Sequence, residues 1–251
     1  MARLAWFVAA CIVGFAPPVA ARCPPAGGAP LGEVASIAGE EITLADGRVV
    51  RLAGVAIPDM VAAPARARLG ALLGQEARLV PRAGRPDRHG RIVADIVGRG
   101  GWAQERLVAE GLALAAPRPG EAECADALVA SEAIARLGRL GVWAHGPTIE
   151  AGDHASLGAA LGRFVVVEGR VIAIGRRDTA TYIDFGRRWR EDFAIVIPRA
   201  ARASFEREGV DLDALVGLRV RARGWLDATS PPRLRLEWPS ALEITTTRPA
   251  R

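Results

Sequence analysis

Residues 33–55 alternate between apolar and polar side chains, and no other pattern in the chain limits its fold as strongly. Residues two apart lie on the same face of a β-strand, so this run predicts strands with one buried face. Asp46 and Gly47 interrupt the run with the residue types of a tight hairpin turn. Further strands are predicted at 76–84 and 91–98, a helix at 63–73 before them, and two helices at 103–110 and 121–140.

The same order of elements returns after residues 146–162, where Gly, Ala, Pro and His predict a linker. Three strand-like runs lie at 163–175, 179–186 and 192–198. They are followed by a helical stretch at 199–208 and by two more strand-like runs at 218–227 and 232–244. Three strands, a helix and two strands are typical of a small five-stranded barrel of the OB type. The sequence therefore predicts a mainly β, α+β chain of two tandem OB-like barrels, at 22–146 and 162–247, with the linker at 147–161.

The N-terminus has the features of a secretory signal peptide. Arg3 precedes an apolar run at 4–15, and small residues stand before Arg22. The run is too short to span a bilayer. We expect residues 1–21 to be removed and the remaining chain to be periplasmic or secreted, without a membrane segment. A lipoprotein signal at Cys23 is the alternative, and Arg22 directly before the cysteine disfavours it.

Export changes the interpretation of the cysteines. Of the three cysteines, Cys11 would leave with the signal peptide, and Cys23 and Cys124 would remain. An even number of cysteines in an oxidising compartment predicts a disulfide between them, which would close a loop of about 100 residues. The alternative is one buried and one frayed thiol.

The positive charge is carried by arginine throughout, since the chain has 33 Arg and no Lys. Residues 22–150 contain 15 Arg and 15 acidic residues, whereas residues 151–251 contain 17 Arg and 13 acidic residues, a net charge of +4. A GC-rich genome explains the preference for Arg, but Arg also binds phosphate with two parallel hydrogen bonds. Any general attraction to nucleic acid is therefore expected in the C-terminal part.

Two short segments form a candidate phosphate clamp, RLAGVAIPD at 51–59 and DRHGR at 87–91. They contribute Arg51, Asp59 and Arg91, and a later helix ends before Gly-Val-Trp at 141–143. In order and spacing, residues 32–143 resemble the thermonuclease family, which has the staphylococcal-nuclease-like fold. The resemblance implies hydrolysis of phosphodiester bonds in nucleic acid with calcium. The second half resembles a module that often follows such domains in exported bacterial proteins. This resemblance implies no particular chemical activity.

The resemblance also assigns roles to residues. In the family two carboxylates hold calcium, a glutamate activates the attacking water, and two arginines neutralise the phosphate. Arg51 and Arg91 match the arginines, Glu40 matches one metal ligand, Ala56 replaces the other, and Asp59 replaces the glutamate. Calcium takes six to eight oxygen ligands, and moving a base by about 1 Å can cost roughly 100-fold in rate. We expect calcium to be bound weakly or not at all, and hydrolysis to be weak or lost.

Arginines also alternate in two runs of the second half. One face of the first run carries Arg219, Arg221, Arg223 and Trp225, and one face of the second carries Arg233 and Arg235. If these strands pair, five arginines and a tryptophan form one exposed patch suited to single-stranded DNA or RNA. The alternative is an ordinary solvated sheet face.

Two functions are compatible with these patterns. In the first, a weak nuclease, Arg51 and Arg91 clamp the phosphate, Asp59 is the base and Glu40 keeps a poorly held cation. In the second, a non-catalytic module binds nucleic acid, another anionic polymer or a protein partner. The carboxylate missing at Ala56 favours the second function, and the retained arginines with Asp59 favour the first.

Overall fold

The computed structural model describes residues 23–24, 26–118, 121, 124–188 and 190–245. Within these ranges the protein is an α+β structure in which strands predominate, with five α-helices and four sheets. This confirms the predicted class, although the sheets of the described residues are open and do not close into barrels. The predicted signal peptide at 1–21 lies outside the described residues. No helix in these ranges combines the length and the apolar composition needed to cross a membrane.

The first half contains, in its described residues, nine strands and three α-helices. They are β1 (Ala29–Pro30), β2 (Val34–Ala38), β3 (Glu41–Leu44), β4 (Val49–Leu52), β5 (Val55–Ala56), α1 (Ala62–Leu72), β6 (Arg78–Pro81), β7 (Ile92–Gly98), β8 (Gly101–Trp102), α2 (Ala103–Ala109), β9 (Leu114–Ala115) and α3 (Ala125–Leu137). Seven strands form one sheet in the order β1-β6-β7-β4-β3-β2, with β8 beside β7, and β5 pairs with β9. β4 and β7 run parallel with Arg51 opposite Val93, so the two clamp segments lie side by side.

The predicted hairpin joins β3 and β4. Ile42 and Leu44 of β3 lie in the core, whereas Glu41 and Thr43, which alternate with them, stay partly exposed. Gly47 has φ +85°, a conformation that suits glycine, and the Asp46 carboxylate accepts a hydrogen bond of 3.0 Å from the N–H of Arg48. The alternation seen in the sequence is therefore the buried and exposed faces of this hairpin.

The second half contains eight strands and two α-helices within the part of the chain that the structure describes. They are β10 (Thr148–Glu150), α4 (His154–Ala159), β11 (Phe164–Arg170), β12 (Ala173–Arg176), β13 (Ala180–Asp184), β14 (Ala194–Pro198), α5 (Arg199–Arg207), β15 (Arg219–Trp225), β16 (Arg233–Arg235) and β17 (Leu242–Ile244). One sheet has the order β10-β11-β15-β17 and the other the order β12-β13-β14-β16.

Two predicted elements differ from the structure. Residues 147–161 hold β10, which pairs with β11, and α4, whose Leu157 is buried in the second core, so the segment is no open linker. Its glycines and alanines suggested a linker because composition does not reveal a partner strand. The last helix of the first half begins at Ala125, four residues after the predicted start.

Cys23 and Cys124 are joined by a disulfide with a Cα–Cα distance of 5.6 Å. The bond ties the segment before β1 to the start of α3 across a sequence separation of 101 residues. Cys124 is buried in the first core, and Cys23 packs against it. The sheet and the last helix of the first half are therefore linked covalently.

Each half has its own apolar core, and a third, smaller cluster lies where the halves meet. That cluster contains Val142 and Trp143 from the first half and Val166 from the second. Beside it, Glu132 of α3 forms an ion pair with Arg223 of β15, and both side chains are almost completely buried. The two halves thus pack through apolar contacts and a buried charge pair.

Candidate functional site

Arg51 occupies a buried position on β4. Its guanidinium forms an ion pair with Glu121, and both side chains are buried. The second carboxylate oxygen of Glu121 accepts a hydrogen bond of 2.6 Å from the N–H of Gly54. The charge of Arg51 is therefore balanced inside the protein by a residue 70 positions later in the chain.

Arg91 is held by a turn immediately before β7. Asp87 Oδ1 accepts hydrogen bonds from the N–H groups of His89 (2.9 Å) and Arg91 (3.0 Å), and its Oδ2 lies 2.8 Å from Arg91 Nη2. Arg91 also forms an ion pair with Glu41. Burial acts to raise the pKa of Asp87, but the hydrogen bonds from Arg91 and His89 outweigh it and hold the pKa well below its usual value. Asp87 thus keeps the turn and Arg91 in place.

Arg51 and Arg91 line the same pocket, which has a volume of about 500 Å³. We call it the arginine pocket. Among the described residues its lining includes six arginines and two carboxylates: Arg51, Arg82, Arg85, Arg88, Arg91, Arg118, Asp87 and Glu121. The structure therefore brings the two predicted clamp residues together, in surroundings where positive charge exceeds negative charge.

The arginines of this pocket differ in how their charge is balanced. Arg51 and Arg91 have the carboxylate partners described above, and Arg82 pairs with buried Asp95 at 2.5 Å. Within the described part of the chain, Arg85, Arg88 and Arg118 form no ion pair with a carboxylate, and Arg88 donates a hydrogen bond of 3.0 Å to His89 Nε2. These three are the side chains most available to an external anion.

Arg118 connects the pocket to the second half. Its guanidinium carbon lies 5.1 Å from the centre of the Trp225 ring, a cation–π contact. Burial, and next the nearby charge of Arg51, lower the pKa of Arg118. The Nε atom of Arg118 is buried without a hydrogen-bond partner among the described residues. An anion placed at the guanidinium would relieve the repulsion from Arg51.

The predicted acidic residues lie elsewhere. Glu40, Ala56 and Asp59 line a second cavity of about 680 Å³, which Phe164 and Trp225 of the second half also line. We call it the inter-half cavity. These three positions thus line a different cavity from Arg51 and Arg91, although the charge of Glu40 still acts on Arg118.

The donor set of this cavity does not match a calcium site. One Glu40 oxygen accepts a hydrogen bond of 2.7 Å from the N–H of Ile57, Ala56 offers no side-chain oxygen, and Asp59 lies exposed at the start of a single 3₁₀ turn. Across the described residues no group of three or more His, Cys, Asp or Glu side chains is arranged to hold a metal ion. Calcium needs more oxygen ligands than these residues supply.

The structure does not pair the two strands of the predicted patch along their length. β15 pairs with β11 and β17, whereas β16 pairs with β14 in another sheet, and the two predicted runs meet at an isolated bridge between Leu226 and Leu234. Most of its arginines face acidic partners: Arg219 pairs with Glu150 and Glu168, Arg221 with Glu168 and Glu243, Arg223 with Glu132 and Glu243, and Arg235 with Glu237. Arg233 donates to the carbonyl of Asp192 at 2.9 Å. Alternation predicted which residues of each strand share a face. It could not show the acidic residues that other parts of the chain place beside these arginines.

A binding role for these arginines and for Trp225 stays a prediction. Trp225 differs from the arginines, because its side chain is 45% exposed and lines the inter-half cavity.

Sequence reasoning missed Glu121 and Arg118, which lie in the loop before α3. No periodicity marks a loop residue, and only the charge of the two side chains could have drawn attention to them.

No protein-family model matches the chain, and a search of the curated proteins finds no match. Any function therefore has to be argued from the site itself.

Proposed function

We propose that this chain is an exported thermonuclease-like protein that binds the phosphate backbone of single-stranded nucleic acid in the arginine pocket. We further propose that its first half is an OB-type structure of the staphylococcal-nuclease kind, that its second half is OB-like, and that its hydrolytic activity is weak or lost. The protein then works mainly as a binding module.

One observation carries this proposal: the arginines converge on one pocket, while the acidic residues needed for hydrolysis do not reach it. Arg85, Arg88 and Arg118 offer guanidinium groups without carboxylate partners in the described residues, and Arg binds phosphate through paired hydrogen bonds. A cluster of like charges raises the local concentration of an anionic ligand. A phosphate backbone supplies regularly spaced anions for such a cluster.

A weak nuclease is the second candidate, and a specific feature favours it. Arg51 and Arg91 share a pocket, as a pair that clamps one phosphate would. Against it, both side chains are already engaged by Glu121, Asp87 and Glu41, and Asp59 lies in the other cavity. A nuclease would have to break these ion pairs or bind its substrate across both cavities.

The disulfide supports the proposed location. A bond between Cys23 and Cys124 persists in an oxidising compartment and is rare in the cytosol. The periplasmic or extracellular location is proposed from this bond together with the signal-like residues 1–21.

Changing two pocket arginines tests the proposal. We expect an Arg85→Ala, Arg88→Ala double variant to bind a labelled single-stranded oligonucleotide more weakly. Each lost phosphate contact should reduce the dependence of log affinity on log salt by about 0.7 for a single strand, so the slope should fall by about 1.4. Fluorescence anisotropy at several salt concentrations measures both quantities.

Arg99→Ala is the matched control, since Arg99 is an exposed arginine that pairs with Glu76 outside the arginine pocket. It should leave the salt slope close to that of the wild type. Equal slopes for the double variant and the wild type would exclude this pocket as the backbone site.

A further inference from the structure

We infer that the inter-half cavity is a nucleobase subsite, in which a base stacks against Trp225 while its phosphate lies in the arginine pocket. This inference rests on the proposed function and adds to it the part of the ligand that the second half contacts. Single-stranded nucleic acid would then be held by both halves of the chain.

The walls of the inter-half cavity suit a flat apolar ligand. Its lining includes Ile57 and Met60 from the first half and Phe164 and Trp225 from the second. Met60 is 61% exposed and Trp225 is 45% exposed, and both residues line the cavity. The Phe164 ring meets the Trp225 ring edge to face at 6.0 Å, which fixes the orientation of the indole. Aromatic side chains held in this way are the usual platform for bases of a single strand.

Arg118 makes the two sites continuous. It lines the arginine pocket, and its guanidinium also lies over the Trp225 ring that lines the inter-half cavity. A phosphate bound at Arg118 is therefore next to the tryptophan. The base attached to that nucleotide would then lie beside the inter-half cavity, which Trp225 also lines.

Charge decides which part of a nucleotide occupies which site. Glu40, Asp59 and Arg163 line the inter-half cavity, so its charged lining residues carry a net negative charge, which disfavours a phosphate there. Carboxylates instead accept hydrogen bonds from the amino groups of bases, such as N4 of cytosine. The arginine pocket has the opposite balance. The arrangement therefore orients a nucleotide with its phosphate towards Arg118 and its base towards Asp59.

Two oligonucleotides of equal length separate the contribution of the bases from that of the backbone. One is oligo(dC), and the other is the corresponding abasic strand with the same phosphates. For the wild-type protein we expect oligo(dC) to bind about tenfold more tightly, since stacking of one base on an aromatic side chain has an effect of that order. In Trp225→Ala the ratio of the two affinities should fall towards one. Trp225→Phe keeps a flat ring and should retain most of the ratio.

Ile172→Ala is the control, because Ile172 is an exposed apolar residue of the second half that does not line the cavity. It should leave the ratio unchanged. A wild-type ratio near one, with clear binding of the abasic strand, would overturn the base subsite and leave the backbone proposal standing. Failure of both strands to bind would overturn the backbone proposal itself, and the subsite with it.

Discussion

Replacing Arg223 with Met is expected to lower the free energy of unfolding by about 3–5 kcal/mol, the usual cost of removing one partner of a buried ion pair. Glu132 is 0% exposed, and among the described residues it would keep only the hydrogen bond from the N–H of Ala115 (2.7 Å) and a 3.8 Å contact with Arg136. Glu243 would lose the same partner. The penalty arises from a carboxylate left buried without its main counter-charge.

Urea unfolding followed by tryptophan fluorescence measures this change. Arg235→Met is the control, because Arg235 is an exposed arginine that pairs with Glu237 in the same half of the protein. Exposed pairs contribute little, so its effect should be much smaller. Equal effects of the two substitutions would contradict a buried charge pair between the halves.

Removal of the disulfide is the second large effect that we expect. In the loop-entropy description, a bond that spans 101 residues stabilises the folded state by about 4–5 kcal/mol, because it limits the unfolded chain. A Cys23→Ala, Cys124→Ala variant should lose a free energy of that size. Cys124 is also packed in the first core, so its truncation adds a smaller loss of apolar contact.

Reduction of the wild-type protein distinguishes the two contributions. With dithiothreitol the urea midpoint of the wild type should fall close to that of the variant, whereas the midpoint of the variant should not respond to the reductant. A wild-type midpoint that is insensitive to reduction would contradict a stabilising bond between Cys23 and Cys124.

The regular elements of the fold were predictable from local patterns. Alternation places Ile42 and Leu44 on one face of β3, and short runs rich in Val and Ile indicate β7, β11 and β14 as strands. Because the turn residues Asp46 and Gly47 act within four positions, their effect could also be seen in the sequence. Signals that depend on neighbours in the chain were therefore sufficient for the class of the fold.

Features that depend on distant residues were not predictable. Arg51 lies on a strand that the sequence identifies, but its partner Glu121 is 70 residues away in a loop. Arg223 looks like an exposed residue of an alternating strand, yet α3 of the first half covers it with Glu132. In both cases burial and pairing come from the packing of separate elements, which a one-dimensional pattern does not contain.

In the candidate site, too, local features were predictable from the sequence and contacts between distant residues were not. The sequence assigned Arg51 and Arg91 to one candidate clamp, and both line the arginine pocket, while their role in binding phosphate stays a prediction. It did not show that Glu40 and Asp59 would line one cavity with Trp225, because that cavity depends on how the second half packs against the first.

The central claim is that the arginine pocket binds nucleic acid and that cutting is weak or lost. It is tested most directly by the length of a labelled single-stranded DNA after incubation with calcium and enough protein to shift all of it into the bound form. The account predicts that the DNA is bound and that nearly all of it remains at its original length. Conversion of most of the DNA to shorter fragments by the wild type, lost in Arg91→Ala, would contradict it and would show a working nuclease site that needs Arg91.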